Sequence, residues 1–224
     1  MNSSRRTLLA ALALACVPLA WAEDVVGSGK AVTEKRAVGG FRAVALSVPA
    51  SVELVQGTSE TLTLTADDNI AQLIESVVED GKLHIRFRER GRLNVRTRTP
   101  IRIAITARVV DSISVAGSAD VRASNLSTAS LHVSIAGSGD VHLSGKAQTL
   151  EVSVSGSGNV KAAGLDTRSS KVSIAGSGDA EVRARMQLRA SIAGSGEVRY
   201  YGDPEIRRSV VGSGSVRRVG ASPS

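Results

Sequence analysis

Seven arginines, Arg86, Arg88, Arg90, Arg92, Arg96, Arg98 and Arg102, crowd into residues 86–102. The first four alternate with Phe87, Glu89 and Gly91, so an extended chain sends them out on one side. Guanidinium forks pair with phosphate and carboxylate groups, and the chemistry this face suggests is capture of an anionic envelope polysaccharide or glycolipid. The alternative is a charged sheet edge that discourages aggregation. A second set, Asp120, Asp140, Asn159, Asp179, Glu197 and Ser215, recurs along the C-terminal half. Calcium needs several oxygens converging from adjacent turns, and calcium-binding β-rolls repeat every nine residues or so. Here the step is about twice that and the column includes Asn159 and Ser215, so these side chains are read as partners for corner backbone, and no metal site is predicted.

Catalysis finds little to work with. His84, His132 and His142 fall in separate columns, and no His-Glu-x-x-His spacing occurs. Asp140, between Asp120 and Asp179, is the one candidate for a polysaccharide-cleaving acid, but no repeat carries the inserted loop that usually builds such a site. No catalytic residue and no cofactor is predicted. Nucleic acid is set aside because aromatic residues make up only 2% of the chain.

The elements that position these residues follow from a repeated phrase. It stands at Gly117-Ser118-Ala119-Asp120, Gly137-Ser138-Gly139-Asp140, Gly156-Ser157-Gly158-Asn159, Gly176-Ser177-Gly178-Asp179, Gly194-Ser195-Gly196-Glu197 and Gly212-Ser213-Gly214-Ser215. A fixed period of about twenty residues marks a solenoid. Before each phrase, the columns Ile113, Val133, Val152, Val172, Ala190, Arg208 and Val115, Ile135, Val154, Ile174, Ile192, Val210 flank a constant serine: Ser114, Ser134, Ser153, Ser173, Ser191, Ser209. Alternation with period two means a strand. After each phrase Val121, Val141, Val160, Ala180, Val198 and Val216 form another apolar column, beside exposed Arg122, His142, Lys161, Glu181, Arg199 and Arg217. Each coil therefore reads as strand, Gly-Ser-Gly corner, strand and a second polar bend such as Ser144-Gly145-Lys146. The expected fold is an all-β, single-domain parallel β-helix with Gly117, Gly137, Gly139, Gly156, Gly158, Gly176, Gly178, Gly194, Gly196, Gly212 and Gly214 as structural corners. Arg208 and Arg218 interrupt the inward columns of the last coil, as a solvent-facing cap should. The serine column, with Ala116, Ala136, Ser155, Ala175 and Ala193, makes a flat face suited to homo-oligomer packing or to plain solvation.

At 224 residues the chain suits one domain. Arg5 and Arg6 precede an apolar run from Leu8 to Leu19, and Ala20-Trp21-Ala22 fits signal cleavage, so residues 1–22 are read as a signal peptide. Ser4-Arg5-Arg6-Thr7-Leu8-Leu9 leaves twin-arginine export open beside the general route, and Cys16 is a poor match to a lipoprotein acceptor. Cleavage after Ala22 removes Cys16, so thiol chemistry and disulfides go with it. It also removes Arg5 and Arg6, leaving +5 of the full chain's +7 and no membrane-spanning run. Residues 23–40 are read as a lead-in, 41–110 as irregular coils, 111–218 as regular ones and 219–224 as a tail. Within the irregular part, Val44 to Leu64 alternate, Gly57-Thr58-Ser59-Glu60 turns, Asp67-Asp68-Asn69 caps a short helix through Ile70, Leu73, Ile74 and Val77, and Asp80-Gly81 opens a second β run.

The chain resembles the head GIN domain family of adhesin-like proteins. The likeness rests on Val25-Val26-Gly27-Ser28-Gly29, Arg36-Ala37-Val38-Gly39-Gly40-Phe41, Ser51-Val52-Glu53-Leu54-Val55-Gln56-Gly57, Gly81-Lys82-Leu83-His84-Ile85 and the Gly-Ser-Gly-Asp repeats. The resemblance implies a β-helical fold in an exported bacterial protein of the periplasm or cell surface, and brings no functional residues with it. The function expected is a non-enzymatic binding or scaffolding module, with a structural homo-oligomer and a polysaccharide-cleaving enzyme as alternatives.

Overall fold

The computed structural model describes residues 23–88 and 93–221. The expected signal peptide with Cys16, the arginines Arg90 and Arg92, and the last three residues lie outside the described residues. In chain order the strands are β1 (Glu23–Val26), β2 (Ala31–Arg36), β3 (Ala43–Ser47), β4 (Ser51–Gln56), β5 (Thr61–Asp67), β6 (Ile74–Glu79), β7 (Lys82–Phe87), β8 (Leu93–Arg96), β9 (Arg102–Ala107) and β10 (Ser112–Gly117). Then come β11 (Asp120–Gly137), β12 (Asp140–Gly156), β13 (Asn159–Gly176), β14 (Ala180–Gly194), β15 (Glu197–Tyr201), β16 (Glu205–Gly212) and β17 (Ser215–Gly220). Among the described residues there is one α-helix, α1, spanning Asp68–Ala71.

The repeats stack as a parallel β-solenoid with the columns in register. Ile113 pairs with Val133, Val133 with Val152, Val152 with Val172, and Val172 with Ala190. All five are buried, as are Val121, Val141, Val160, Ala180 and Val198 across the core. Because β-branched side chains alternate with Ser or Ala, one face of each strand fills the narrow core and the other faces solvent.

Glycine at the corners answers two separate demands. The first glycine of a phrase takes a left-handed backbone, as at Gly156 with φ 126°. The third keeps an ordinary φ but lies against the corner below, where a methyl on Gly158 would stand under 3.0 Å from the Gly139 carbonyl oxygen. The first phrase can carry Ala119 because it stacks on Ala50 and not on another Gly-Ser-Gly corner, with Asp120 N–H donating to the Ala50 carbonyl at 2.9 Å.

The second bend is more than a turn. Leu126, Gly145 and Leu165 are ladder partners, as are Ser127, Lys146 and Asp166, and Leu126, Ala147 and Leu165 point into the core. The ladder shifts register between Ala123 and Leu126 and between His142 and Ser144, where the chain leaves one sheet for this short third side.

The strands of the N-terminal half do not stack in chain order. β3 lies between β7 and β10, and β4 between β9 and β11, all parallel. β7 and β9 are thus the outer members of these parallel stacks, and β3 and β4 lie between them and the regular coils. Beyond β7 and β9 the pairing turns antiparallel, β6 against β7 and β2–β5–β9 in sequence. These hairpins cap the end. The β6–β7 turn has left-handed Asp80 (φ 51°) and Gly81 (φ 72°), the pattern of a tight hairpin whose twist matches its strands. The helix is also shorter than expected: Ile74 and Val77 belong to β6, since their β-branched side chains fit the pairing with Phe87 and His84.

Candidate ligand-binding surfaces

The structure divides the arginine cluster. Arg86 lies on β7 and pairs with Glu75 at 2.5 Å and Glu79 at 3.2 Å, and the hydrogen bond it donates to Glu75 raises its pKa. Arg88 donates through Nε to the Gln72 carbonyl at 3.1 Å. Arg96, Arg98 and Arg102 occupy β8, the β8–β9 connection and β9, around the coil from β7, all exposed and without an ion pair to a described residue. Alternation in the sequence places neighbouring arginines on one side of a strand, but Arg86 and Arg88 belong to the β7 side of the coil and Arg96, Arg98 and Arg102 to the β8–β9 side, so the five described arginines do not form one face.

The segment holding Arg98 is fixed by a buried carboxylate. Asp67 accepts backbone N–H bonds from Gly29 at 3.1 Å, Arg98 at 2.8 Å and Thr99 at 3.1 Å. Burial pushes its pKa up, but the bonds from the Thr99 side chain and from the backbone of Thr99, Arg98 and Gly29 outweigh this and hold it below the usual carboxylate range. A methyl on Gly27 would strike this carboxylate, which explains the glycine there. Asp68 accepts from Ser28 Oγ at 2.6 Å, and Asn69 receives the Ser28 N–H at 3.0 Å while donating to the Val26 carbonyl at 2.9 Å. The Asp-Asp-Asn run thus clasps the N-terminal Gly-Ser-Gly segment. Asp67, the residue at the N-cap position, makes no side-chain bond to the helix.

The polar corner column staples coil to coil. Asp140 Oδ1 accepts both the backbone N–H and the side-chain amide of Asn159, at 3.2 and 2.8 Å. Asn159 Oδ1 accepts the Asp179 N–H at 3.1 Å, and Asp179 the Glu197 N–H at 2.8 Å. Asn159 also separates two carboxylates that would otherwise stack. Among the described residues no group of three or more His, Cys, Asp or Glu side chains is placed to hold a metal ion.

The three histidines remain apart. His84 is on β7, His132 meets Glu151 at 3.5 Å on the serine-bearing face, and His142 lies between Arg122 and Lys161 on the opposite sheet. Burial, with those two cations, lowers the His142 pKa. The serine column is continuous and in register from Ser114 to Ser209.

A concave surface that sequence reasoning did not single out runs along the second bend. One hollow of about 800 Å³ is lined by residues 127–129, 146–148, 166–168 and 185–186. A second, of about 390 Å³, shares Ser127, Thr128 and Ala129 and continues it to Arg42 and Asp111. Coil lengths vary between 18 and 20 residues, and the variation falls at this bend, so its side chains do not align as columns in the sequence.

No curated protein matches the chain. Among solved structures, it is similar to a "putative adhesin" of Bacteroides fragilis, with TM-score 0.70 and 26% identity over 87% of this chain and 100% of that one. It is also similar to a "putative lipid binding protein" of Parabacteroides distasonis, with TM-score 0.61 and 25% identity over 88% and 100% of the two chains. A "putative adhesin" of Parabacteroides merdae shares the fold at TM-score 0.55 and 22% identity, over 88% and 100%. Among the described residues no helix is long and apolar enough to cross a membrane. The family described as "Putative auto-transporter adhesin, head GIN domain" matches residues 40–204, and the chain belongs to it, an exported, adhesin-like β-solenoid of the cell envelope.

Proposed function

We propose that this solenoid is a recognition module for an anionic surface glycan, free or as the headgroup of a glycolipid. The observation carrying this reading is that Arg96, Arg98 and Arg102 are exposed beside the N-terminal layer with no carboxylate partner among the described residues. Unpaired guanidinium groups on a rigid scaffold bind sulfate, phosphate or carboxylate without first breaking an internal pair. Asp67 supplies the rigidity by fixing the backbone at Arg98 and Thr99. The lipid-binding label on the Parabacteroides distasonis relative agrees with a glycolipid as one form of the ligand. Arg86 and Arg88, which already have partners, contribute less. The test is titration of residues 23–224 with lipopolysaccharide and with acidic polysaccharide at low and moderate salt. Binding that weakens with salt and loses affinity when Arg96, Arg98 and Arg102 are replaced by Ser supports the reading, while wild-type binding at neither salt, or shortened polymer, overturns it.

A structural role is the second reading, favoured by the in-register serine column from Ser114 to Ser209, flat enough to pack on a second copy. It requires mass in sedimentation that rises with concentration and falls back in Ser153→Arg.

A further inference from the structure

We propose that the groove along the second bend seats one extended strand of an acidic polysaccharide, lying parallel to the solenoid axis. This inference rests on the anionic-glycan reading and assigns a second, longer contact for the same class of ligand. The two hollows join through Ser127, Thr128 and Ala129, so the groove crosses the layers at 109–111, 127–130, 146–148, 166–168 and 185–186. Four steps between stacked strands give a length of about 19 Å. Its floor is low because Ala129, Ala147 and Thr128 are short. Nothing there blocks a linear chain.

Charge selects the occupant. Asp166 is the ladder neighbour of Lys146, yet it is held by Arg185, whose Nε donates at 2.7 Å, with Arg183 at 3.8 Å. Asp111 is likewise engaged by Arg42, at 2.6 Å, and by Thr128 Oγ at 2.9 Å. Both carboxylates of the groove are therefore neutralised within the protein. Lys146 and Arg168 are exposed and have no carboxylate partner among the described residues. They leave two uncompensated positive charges, one layer apart, over a floor of small side chains. Met186, 58% exposed at the far end, offers an apolar surface to the C–H face of a sugar ring.

A peptide strand fits less well. Around the groove the main chain is already paired from coil to coil, as in Ser127 with Lys146 and Lys146 with Asp166, so an incoming strand finds no free sheet edge. A glycan needs only the side chains.

Met186 makes the site readable, because it is the only methionine after Met1. The experiment uses residues 23–224 with polygalacturonate and oligogalacturonides of increasing length. Saturating polymer should slow peroxide oxidation of Met186 severalfold, and affinity should rise with oligomer length until the chain spans the groove. Lys146→Glu with Arg168→Glu should weaken binding about tenfold or more, while Arg96→Ser with Arg98→Ser and Arg102→Ser should leave the Met186 protection in place at saturation. The oxidation measurement is made on the unaltered chain, so it does not depend on the folding of a variant. Binding that persists with Met186 oxidised at its free rate overturns the groove while leaving anionic-glycan recognition standing. Absence of any salt-sensitive binding by the unaltered chain overturns both.

Discussion

A single buried carboxylate, Asp67, ties three parts of the N-terminal layer together. Its oxygens take N–H bonds from Gly29, Arg98 and Thr99, which belong to the lead-in and to the connection between β8 and β9. The acceptor role requires the ionised form. Since the folded-state pKa lies below the ordinary carboxylate value, Asp67 adds stability at pH above about 4, the unfolded value, and that stability is lost as pH falls through the lower folded value. Asp67→Asn replaces one acceptor oxygen with an amide donor facing donors. At neutral pH its melting midpoint should fall by several degrees, and the gap from the unaltered chain should narrow steadily below pH 4. A gap independent of pH would mean that shape, and not charge, matters there. Asp67, Asp68 and Asn69 are conspicuous in the sequence as a possible helix cap, a local role. The partners that clasp the lead-in and the β8–β9 connection are 31 to 43 residues away, as in the bonds from Arg98 to Asp67 and from Asn69 to the Val26 carbonyl, so neither local spacing nor propensity points to them.

Among the elements, the regular coils were the most legible and the last one is the most informative. From β10 to β14, apolar and small residues alternate so strictly that register, inward columns and corners all follow from the phrase. The second bend was not legible because its length changes from coil to coil, and the N-terminal order was not because a strand carries no mark of which neighbour it will take. On β16 every residue is exposed, including Ile206 and Val210, which continue the inward columns of Leu188 and Ile192. β16 is paired with β14 and has no strand on its other edge among the described residues, and such an edge invites strand addition unless it is blunted. Arg208 stands in register with buried Ala190, and Arg218 with Tyr200, so each puts a charge where an incoming coil would need an apolar side chain. Among the described residues Arg218 has only the exposed Asp203 at 3.7 Å, and burying a guanidinium that is unpaired or so loosely paired costs several kcal/mol, enough to stop end-on stacking. Arg208→Val with Arg218→Val should therefore associate end to end. Sedimentation should show species larger than those of the unaltered chain, growing with concentration and insensitive to Ser153→Arg. If the double variant sediments like the unaltered chain, the arginines do not guard this edge.

At the scale of the whole molecule the two ends are unequal, and that asymmetry should govern how the solenoid opens. In a stacked repeat each layer is stabilised almost entirely by its neighbours, so loosening begins wherever a layer has only one. The N-terminal end is closed by the β6–β7 hairpin, by β2 and β5 folded over β9, by the Asp67 clasp, and by Arg36 reaching the carbonyls of Ile74 and Ala71 at 2.7 and 2.8 Å. Among the described residues the C-terminal end has no such cover, and the family match stops at residue 204, just before β16. β16 and β17 bury little, whereas the layers of β12 and β13 have complete coils on both sides. Native-state hydrogen exchange should accordingly be polar. Amides of β16 and β17 should open at a cost of about 0–2 kcal/mol, those of β14 later, and those of β11 to β13 only with global unfolding. Protection should rise again early in the N-terminal half, with Gly29, Arg98 and Thr99 among the slow amides outside strands because their acceptor is the buried Asp67. Equal protection at both ends, or slow exchange in β16, would show that Arg208 and Arg218 do more than shield an edge. The gradient also bears on recognition: the arginines near β8 and β9 lie at the closed end, and the groove reaching from Arg42 to Met186 stops at β14, one layer short of the open end. A ligand spanning the groove would raise protection in β11 to β14 without altering β16 and β17, so the same exchange experiment, repeated with bound polysaccharide, would report where along the axis the strand lies.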